Sequence, residues 1–247
     1  MDIGKNRTVG ALMGVVWLGL LVGSPATSGV ECGDTVTGAA VRIDDHIGPC
    51  AENPALTIQG PANVNFNGFT LECASAGTTG IVITGQNAKV QNGTVLNCED
   101  GIEITGDGQH QVLKMRVTSD QVAGDRGFRV RSDDNHLVQN MAEGFNGEGF
   151  RVEGEGNRLV NNQAVNNSGH GFRLRGNGEH ELVNNLAEGN GEEGVRIDSD
   201  GNRLVNNVAI NNGDEGFRAR DGAGNTLINN RAEGNGATDG EAGFRVQ

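Results

Sequence analysis

Gly149-Phe-Arg-Val-Glu-Gly-Glu-Gly-Asn157-Arg-Leu-Val-Asn-Asn162-Gln-Ala164-Val carries two signatures that return down the chain at a nearly fixed spacing. Gly-Phe-Arg-Val also begins at Gly127 and, with small changes, at Gly171, Gly194, Gly216 and Gly243. Successive glycines stand 22, 22, 23, 22 and 27 residues apart. The second signature, Asn-x-Leu-x-x-Asn, recurs from Asn135, Asn157, Asn202 and Asn225. Self-similarity at such a period marks an architecture of stacked repeats. Within a unit, apolar residues alternate over short stretches, as at Phe150 and Val152 or Phe172 and Leu174, which is the period of a strand with one face inward. Each unit has one dominant leucine, many Gly and Asn and no run of helix formers, which argues against a leucine-rich repeat. The predicted fold is therefore all-β, a single-stranded right-handed parallel β-helix with about nine coils of roughly 22 residues.

In such a solenoid, like residues stack about 4.8 Å apart. Phe128, Phe150, Phe172, Val195, Phe217 and Phe244 form one predicted inner column. Leu137, Leu159, Leu182, Leu204 and Leu227 form a second, and Ala142, Ala164, Ala187, Ala209 and Ala232 a third. Asn140, Asn162, Asn185, Asn207 and Asn230 are expected at one corner. Asparagine tolerates a left-handed backbone there, and stacked amides bond along the ladder. Weaker openings at Leu56-Thr-Ile, Gly80-Ile-Val-Ile and Gly101-Ile-Glu-Ile extend the pattern upstream. Extra residues within Thr118 to Arg126 and Ala237 to Ala242 read as loops.

The four cysteines test the register. Asn67-Gly-Phe-Thr-Leu-Glu-Cys73 matches Asn92-Gly-Thr-Val-Leu-Asn-Cys98 at a shift of 25, which places Cys73 and Cys98 in one column on adjacent coils. At about one strand spacing they suit a disulfide. Cys32 and Cys50 then close an N-terminal cap over the first coil, where an open sheet edge needs cover. Residues 1–28 have the layout of a secretory signal peptide: Lys5 and Arg7, an apolar run from Ala11 to Val22, and small residues that allow cleavage near Ala26 or Ser28. The expected organisation is signal peptide 1–28, cap 29–54 and β-helix 55–247, with the product secreted or periplasmic. A net charge of −13 disfavours nucleic acid and anionic membrane surfaces as partners. No later segment is apolar enough to suggest membrane insertion of the mature chain.

Cys32-Gly-Asp-Thr-Val-Thr, Cys50, Leu56-Thr-Ile, Asn67-Gly-Phe-Thr-Leu and the repeated Asn-x-Leu-x-x-Asn together resemble the exported NosD-like right-handed β-helix proteins of the pectin-lyase-like superfamily. The resemblance runs from about Cys32 to the end and implies the same fold. Relatives in that superfamily include polysaccharide lyases, glycoside hydrolases, uronan epimerases and periplasmic accessory proteins, so kinship alone selects no activity.

Candidate chemistry is sparse. Asp133-Asp134 and Gly169-His170-Gly171 look like fragments of a polygalacturonase site, but they lie more than one coil apart, whereas paired carboxylates must flank one glycosidic bond. Asp198-Ser-Asp200-Gly-Asn202 begins like a calcium loop and reads better as a turn. The five histidines share no short spacing of the kind a transition metal needs, so neither a metal nor another cofactor is expected. The remaining feature is an outward column, Arg129, Arg151, Arg173, Arg196, Arg218 and Arg245. Glu148, Glu193, Glu215, Glu153 and Asp198 sit beside it, and Arg131, Arg175 and Arg220 are interspersed. One reading is a salt-bridged face that fixes coil register. The other makes Arg129, Arg151, Arg173, Arg196 and Arg218 a track for the carboxylate or sulfate groups of an acidic polysaccharide. With no Tyr, and its one Trp (Trp17) in the leader, the mature chain offers little for sugar stacking. The expectation is an exported protein that binds or scaffolds an extracellular or envelope polysaccharide, with no catalytic residue assigned. A polysaccharide lyase or uronan epimerase is the first alternative, and a purely structural envelope protein the second.

Overall fold

The computed structural model describes residues 8–9, 29–38, 40–75, 77–120, 124–236 and 243–246. They form an all-β, right-handed parallel β-helix of about nine turns. In the regular coils each turn has three short strands, for example Phe150–Val152, Arg158–Val160 and Gln163–Val165. Every strand pair is parallel, and the register places repeat on repeat: Phe128↔Phe150, Arg151↔Arg173, Leu159↔Leu182 and Ala187↔Ala209 are direct partners. Two long strands, Lys89–Leu96 and Gln111–Thr118, span two faces at once. Beyond them the faces separate into strands such as His136–Val138 and Met141–Glu143.

The predicted inner columns are the core except in the last coils, where Leu227 and Ala232 are only partly buried and Phe244, with no coil described beyond it to cover the ring, is 45% exposed. Phe128, Phe150, Phe172 and Phe217 are at most 1% exposed, and Leu137, Leu159, Leu182 and Leu204 are fully buried. The Phe128 and Phe150 rings stack at 4.5 Å, and Phe150 and Phe172 at 4.8 Å. The alanine column explains the signature glycine. A Cβ on Gly171 would lie 2.8 Å from Ala187 Cβ and 2.6 Å from the Gly194 carbonyl oxygen, so the opening position of each unit has room only for hydrogen.

Three buried ladders run along the rod. Asn140, Asn162, Asn185, Asn207 and Asn230 form one; from Asn162 onward each Oδ1 accepts from both the backbone N–H and the Nδ2 of the preceding coil's asparagine, and Asn140 Oδ1 accepts from the Met115 N–H. Asn167, Asn190, Asn212 and Asn235 form another. The left-handed backbone assigned to the first column belongs to its neighbour instead. Gln139, Asn161, Asn184, Asn206 and Asn229 take φ between 52° and 58°, because the turning residue must leave the pleat while the next amide points inward. The third ladder mixes residue types: His110, Asn135, Asn157, His180, Asn202 and Asn225. His180 Nδ1 accepts from the Asn157 N–H at 3.2 Å, and its Nε2 lies 3.3 Å from the Arg175 carbonyl. The imidazole thus reproduces an amide's acceptor and donor, and His110 does the same toward the Ala88 N–H and the Thr105 carbonyl.

Both predicted disulfides are present, Cys32–Cys50 and Cys73–Cys98, the latter with Cα atoms 5.1 Å apart. The register around the second is less simple than the sequence match implies. Pairing runs Thr70↔Thr94 to Glu72↔Leu96, a shift of one residue from the match, and Asn97 at φ 59° turns the chain so that Cys98 reaches Cys73. Of segment 1–28, only Thr8–Val9 is described; it pairs with Thr35–Val36 at the end of the sheet. The expected cleavage site, the loop at 237–242 and part of the loop at 118–126 lie outside the described residues.

Candidate functional site

Three adjacent columns of charge occupy the outer surface of the sheet that contains the signature strands. The middle one is the predicted arginine column, in direct register from Arg129 through Arg151, Arg173, Arg196 and Arg218 to Arg245. Their alternation with buried Phe and Val points them outward. On one side run Arg131, Glu153, Arg175, Asp198 and Arg220, bonded coil to coil through their backbone. On the other, just before each signature glycine, stand Asp100, Arg126, Glu148, His170, Glu193 and Glu215. This corner column is largely buried: Glu193 is 1% exposed and His170 3%.

Guanidinium groups at strand spacing repel one another, and the flanking carboxylates offset that repulsion. Arg151 donates to Glu153 at 2.6 Å, and Arg173 bridges Glu148 and Asp198 at 3.2 Å each. Arg218 reaches Glu193 at 3.1 Å, and Arg245 reaches Glu215 at 2.9 Å. Several carboxylates take an arginine from each of two coils, so each ion pair also pins register. The carboxyl of Glu148 is pushed up by burial, but Arg151, its own amide, Arg126 and Arg173 outweigh that and hold it below its ordinary range. Burial likewise opposes ionisation of Glu193, yet His170, the backbone and Arg196 bring it down to about 2. Asp100 goes the other way, because burial exceeds the pull of Arg126 and Arg129. The guanidinium groups are not sealed off; the side chains of Arg129, Arg173 and Arg218 are 21–22% exposed.

His170 is the one imidazole in these columns. Its Nδ1 lies 2.7 Å from Glu193 Oε2 and 3.0 Å from Glu192 Oε2. Short spacing between histidines is no guide to this corner, because its carboxylates stand 22 and 23 residues beyond His170. The signal was present, since His170 holds the place in its coil that Glu148, Glu193 and Glu215 hold in theirs.

Residues 79–246 match the family described as the right handed beta helix region. This chain belongs to that family. Among solved structures, this beta helix is similar to the A-module of the mannuronan C-5 epimerase AlgE4 from Azotobacter vinelandii, with a TM-score of 0.57 and 16% identity over 86% of this chain and 72% of that one. The A-module of the mannuronan C-5 epimerase AlgE6 from the same organism gives 0.55 and 18% identity over 86% and 71%. At these identities the likeness speaks to fold. No curated protein matches the chain in sequence.

The other sequence candidates fall apart in this beta helix. Asp133 and Asp134 lie on the corner with Gln109 and His136, Asp133 Oδ1 accepting from the Glu155 N–H, whereas His170 faces Glu192 and Glu193. The calcium-like stretch is divided among three tasks: Asp198 binds Arg173 and Arg196, Asp200 accepts from the Ala223 N–H, and Asn202 belongs to a ladder. It is a turn. No helix among the described residues is long and apolar enough to cross a membrane.

Proposed function

We propose that this protein acts on an acidic polysaccharide of the uronate class, laid along the arginine column. The observation that carries this reading is the unbroken row of outward guanidinium groups. Arg129, Arg151, Arg173, Arg196, Arg218 and Arg245 stand in register on one sheet face, each tied to flanking carboxylates yet still partly exposed, in a chain with only 19 Lys and Arg. A row of forked donors at strand spacing suits a polymer that presents a carboxylate at each sugar, and arginine binds such groups through two parallel hydrogen bonds. The fold likeness to two mannuronan epimerase modules supports the same class of polymer.

The lyase or epimerase alternative is favoured over a purely structural role, and over simple scaffolding. Elimination and C5 epimerisation share a first step, removal of the proton on the carbon that bears the carboxylate. Neutralising that carboxylate stabilises the charge that develops, and fixed guanidinium groups do so without reorganisation. The leader-like residues 1–28 and the resemblance to exported NosD-like proteins support a secreted or periplasmic location, where such polymers occur and where the two disulfides persist.

Incubation with polymannuronate or polygalacturonate in deuterated water tests the activity. Epimerisation incorporates solvent deuterium at C5, and elimination creates unsaturated ends with ultraviolet absorbance. Either product, with turnover reduced at least tenfold when Arg151, Arg173 and Arg196 become lysine, is the expected result. Absence of both products across uronate polymers refutes catalysis on this substrate class.

A further inference from the structure

The corner where His170, Glu192 and Glu193 meet has a geometry that the ion-pair ladder does not require. Every acid in this column faces an arginine, Glu193 included through its Oε1, but here an imidazole also meets Glu193 Oε2 and the neighbouring Glu192, both supplied by the next coil. His170 Nδ1, Glu192 Oε2 and a Glu193 oxygen all lie within 4.8 Å of one another. His170 Nδ1 and Glu193 Oε2 are buried and unserved by any hydrogen bond of good geometry, although they stand 2.7 Å apart. Their side chains are 4% and 1% exposed, while Glu192 is 51% exposed and leaves the corner open to solvent on one side. One coil further, the Asp214 N–H donates to the Glu192 carbonyl at 3.3 Å, which brings a third acid to the same edge.

The geometry points to a divalent transition-metal site of the zinc class, with His170 Nδ1, Glu192 and Glu193 as protein ligands and the solvent side left for water or a ligand. One imidazole nitrogen with two carboxylate oxygens suits zinc; calcium takes oxygen ligands in larger number. Zinc bonds of about 2.0–2.1 Å place tetrahedral ligand atoms roughly 3.3 Å apart. The 3.0 Å separation opens by a small movement of the exposed Glu192, and the 2.7 Å one asks about 0.6 Å of the buried His170–Glu193 pair. A second cluster among the described residues, Cys32, Cys50 and Glu52, has its sulfurs joined in a disulfide and offers no thiolate. The metal site stands apart from the polysaccharide reading and is tested without any glycan.

Equilibrium dialysis of the oxidised, tag-free full chain against zinc alone, followed by metal analysis, measures the stoichiometry. The expected result is one zinc per chain, undisplaced by a hundredfold excess of calcium, with an accompanying rise in thermal midpoint. His170→Ala and Glu192→Gln should each weaken binding at least tenfold. Glu192→Gln alters an exposed side chain and keeps the test decisive if His170→Ala fails to fold. No zinc retained by the wild type, or zinc binding unchanged in Glu192→Gln, overturns the assignment.

Discussion

Asn185→Ala should destabilise the folded chain by about 4 kcal/mol, because it leaves several buried polar groups without partners. In the intact ladder Asn185 Oδ1 accepts from the Asn162 N–H at 2.8 Å and from Asn162 Nδ2 at 3.1 Å. Its own Nδ2 donates to the Leu159 carbonyl and to Asn207 Oδ1, each at 2.9 Å. Alanine removes both the acceptor and the donors at a position only 2% exposed, where water cannot replace them. Asn184 is the internal control. It is exposed with φ 56°, so Asn184→Gly keeps the backbone conformation and should change stability little. Urea denaturation of the two variants measures the difference, provided the m-value stays near that of wild type. Equal midpoints for Asn185→Ala and wild type would mean that the buried ladder contributes nothing.

The second large effect depends on pH. His180 is fully buried, and burial holds its imidazole down at about 4 despite the Arg175 carbonyl and the charge of Asp133. Its Nδ1 accepts a hydrogen bond from the Asn157 N–H, so protonation there would set two donors against each other. The unfolded chain carries an ordinary histidine with a pKa near 6.5. Between pH 6.5 and 4 the unfolded state therefore binds the proton more readily. His180's contribution is fully present above 6.5 and is lost progressively as pH falls toward 4, amounting to about 3 kcal/mol over that window. His110 shifts in the same direction, burial again being the main cause. His180→Asn places an amide between those of Asn157 and Asn202, keeps the ladder, and should flatten the loss relative to wild type. Thermal midpoints of both proteins measured at several pH values across the window give the comparison; parallel curves would show that His180 is not buried as a neutral group.

How far the sequence could be read depended on whether a feature repeats. The inner phenylalanine, leucine and alanine columns were legible because each unit restates them, and the outward arginines follow from the same alternation. The cysteine pairing followed from local self-similarity, yet the ladder between Thr70 and Glu72 runs one residue out of step with it, a slip that only the backbone at Asn97 reveals. Adjacent asparagines are harder. Nothing in Asn161-Asn162 says which residue turns the chain and which is buried, since the same residue type suits both tasks for different physical reasons. His110 and His180 were opaque as ladder members because imidazole mimics an amide only in one tautomer and one orientation. The His170 corner is assembled from two coils and breaks its column's pattern, so it was hidden from any search based on short spacing.

The central functional claim is that the arginine face receives the carboxylates of an acidic glycan. Isothermal titration with a uronate oligosaccharide, and with the same oligosaccharide after reduction of its carboxyl groups to alcohols, tests it most directly. Binding of the uronate form that weakens at least tenfold on carboxyl reduction, and again when Arg151, Arg173 and Arg196 become lysine, is the predicted result. Equal affinity for the two forms, or no affinity for either, would contradict it.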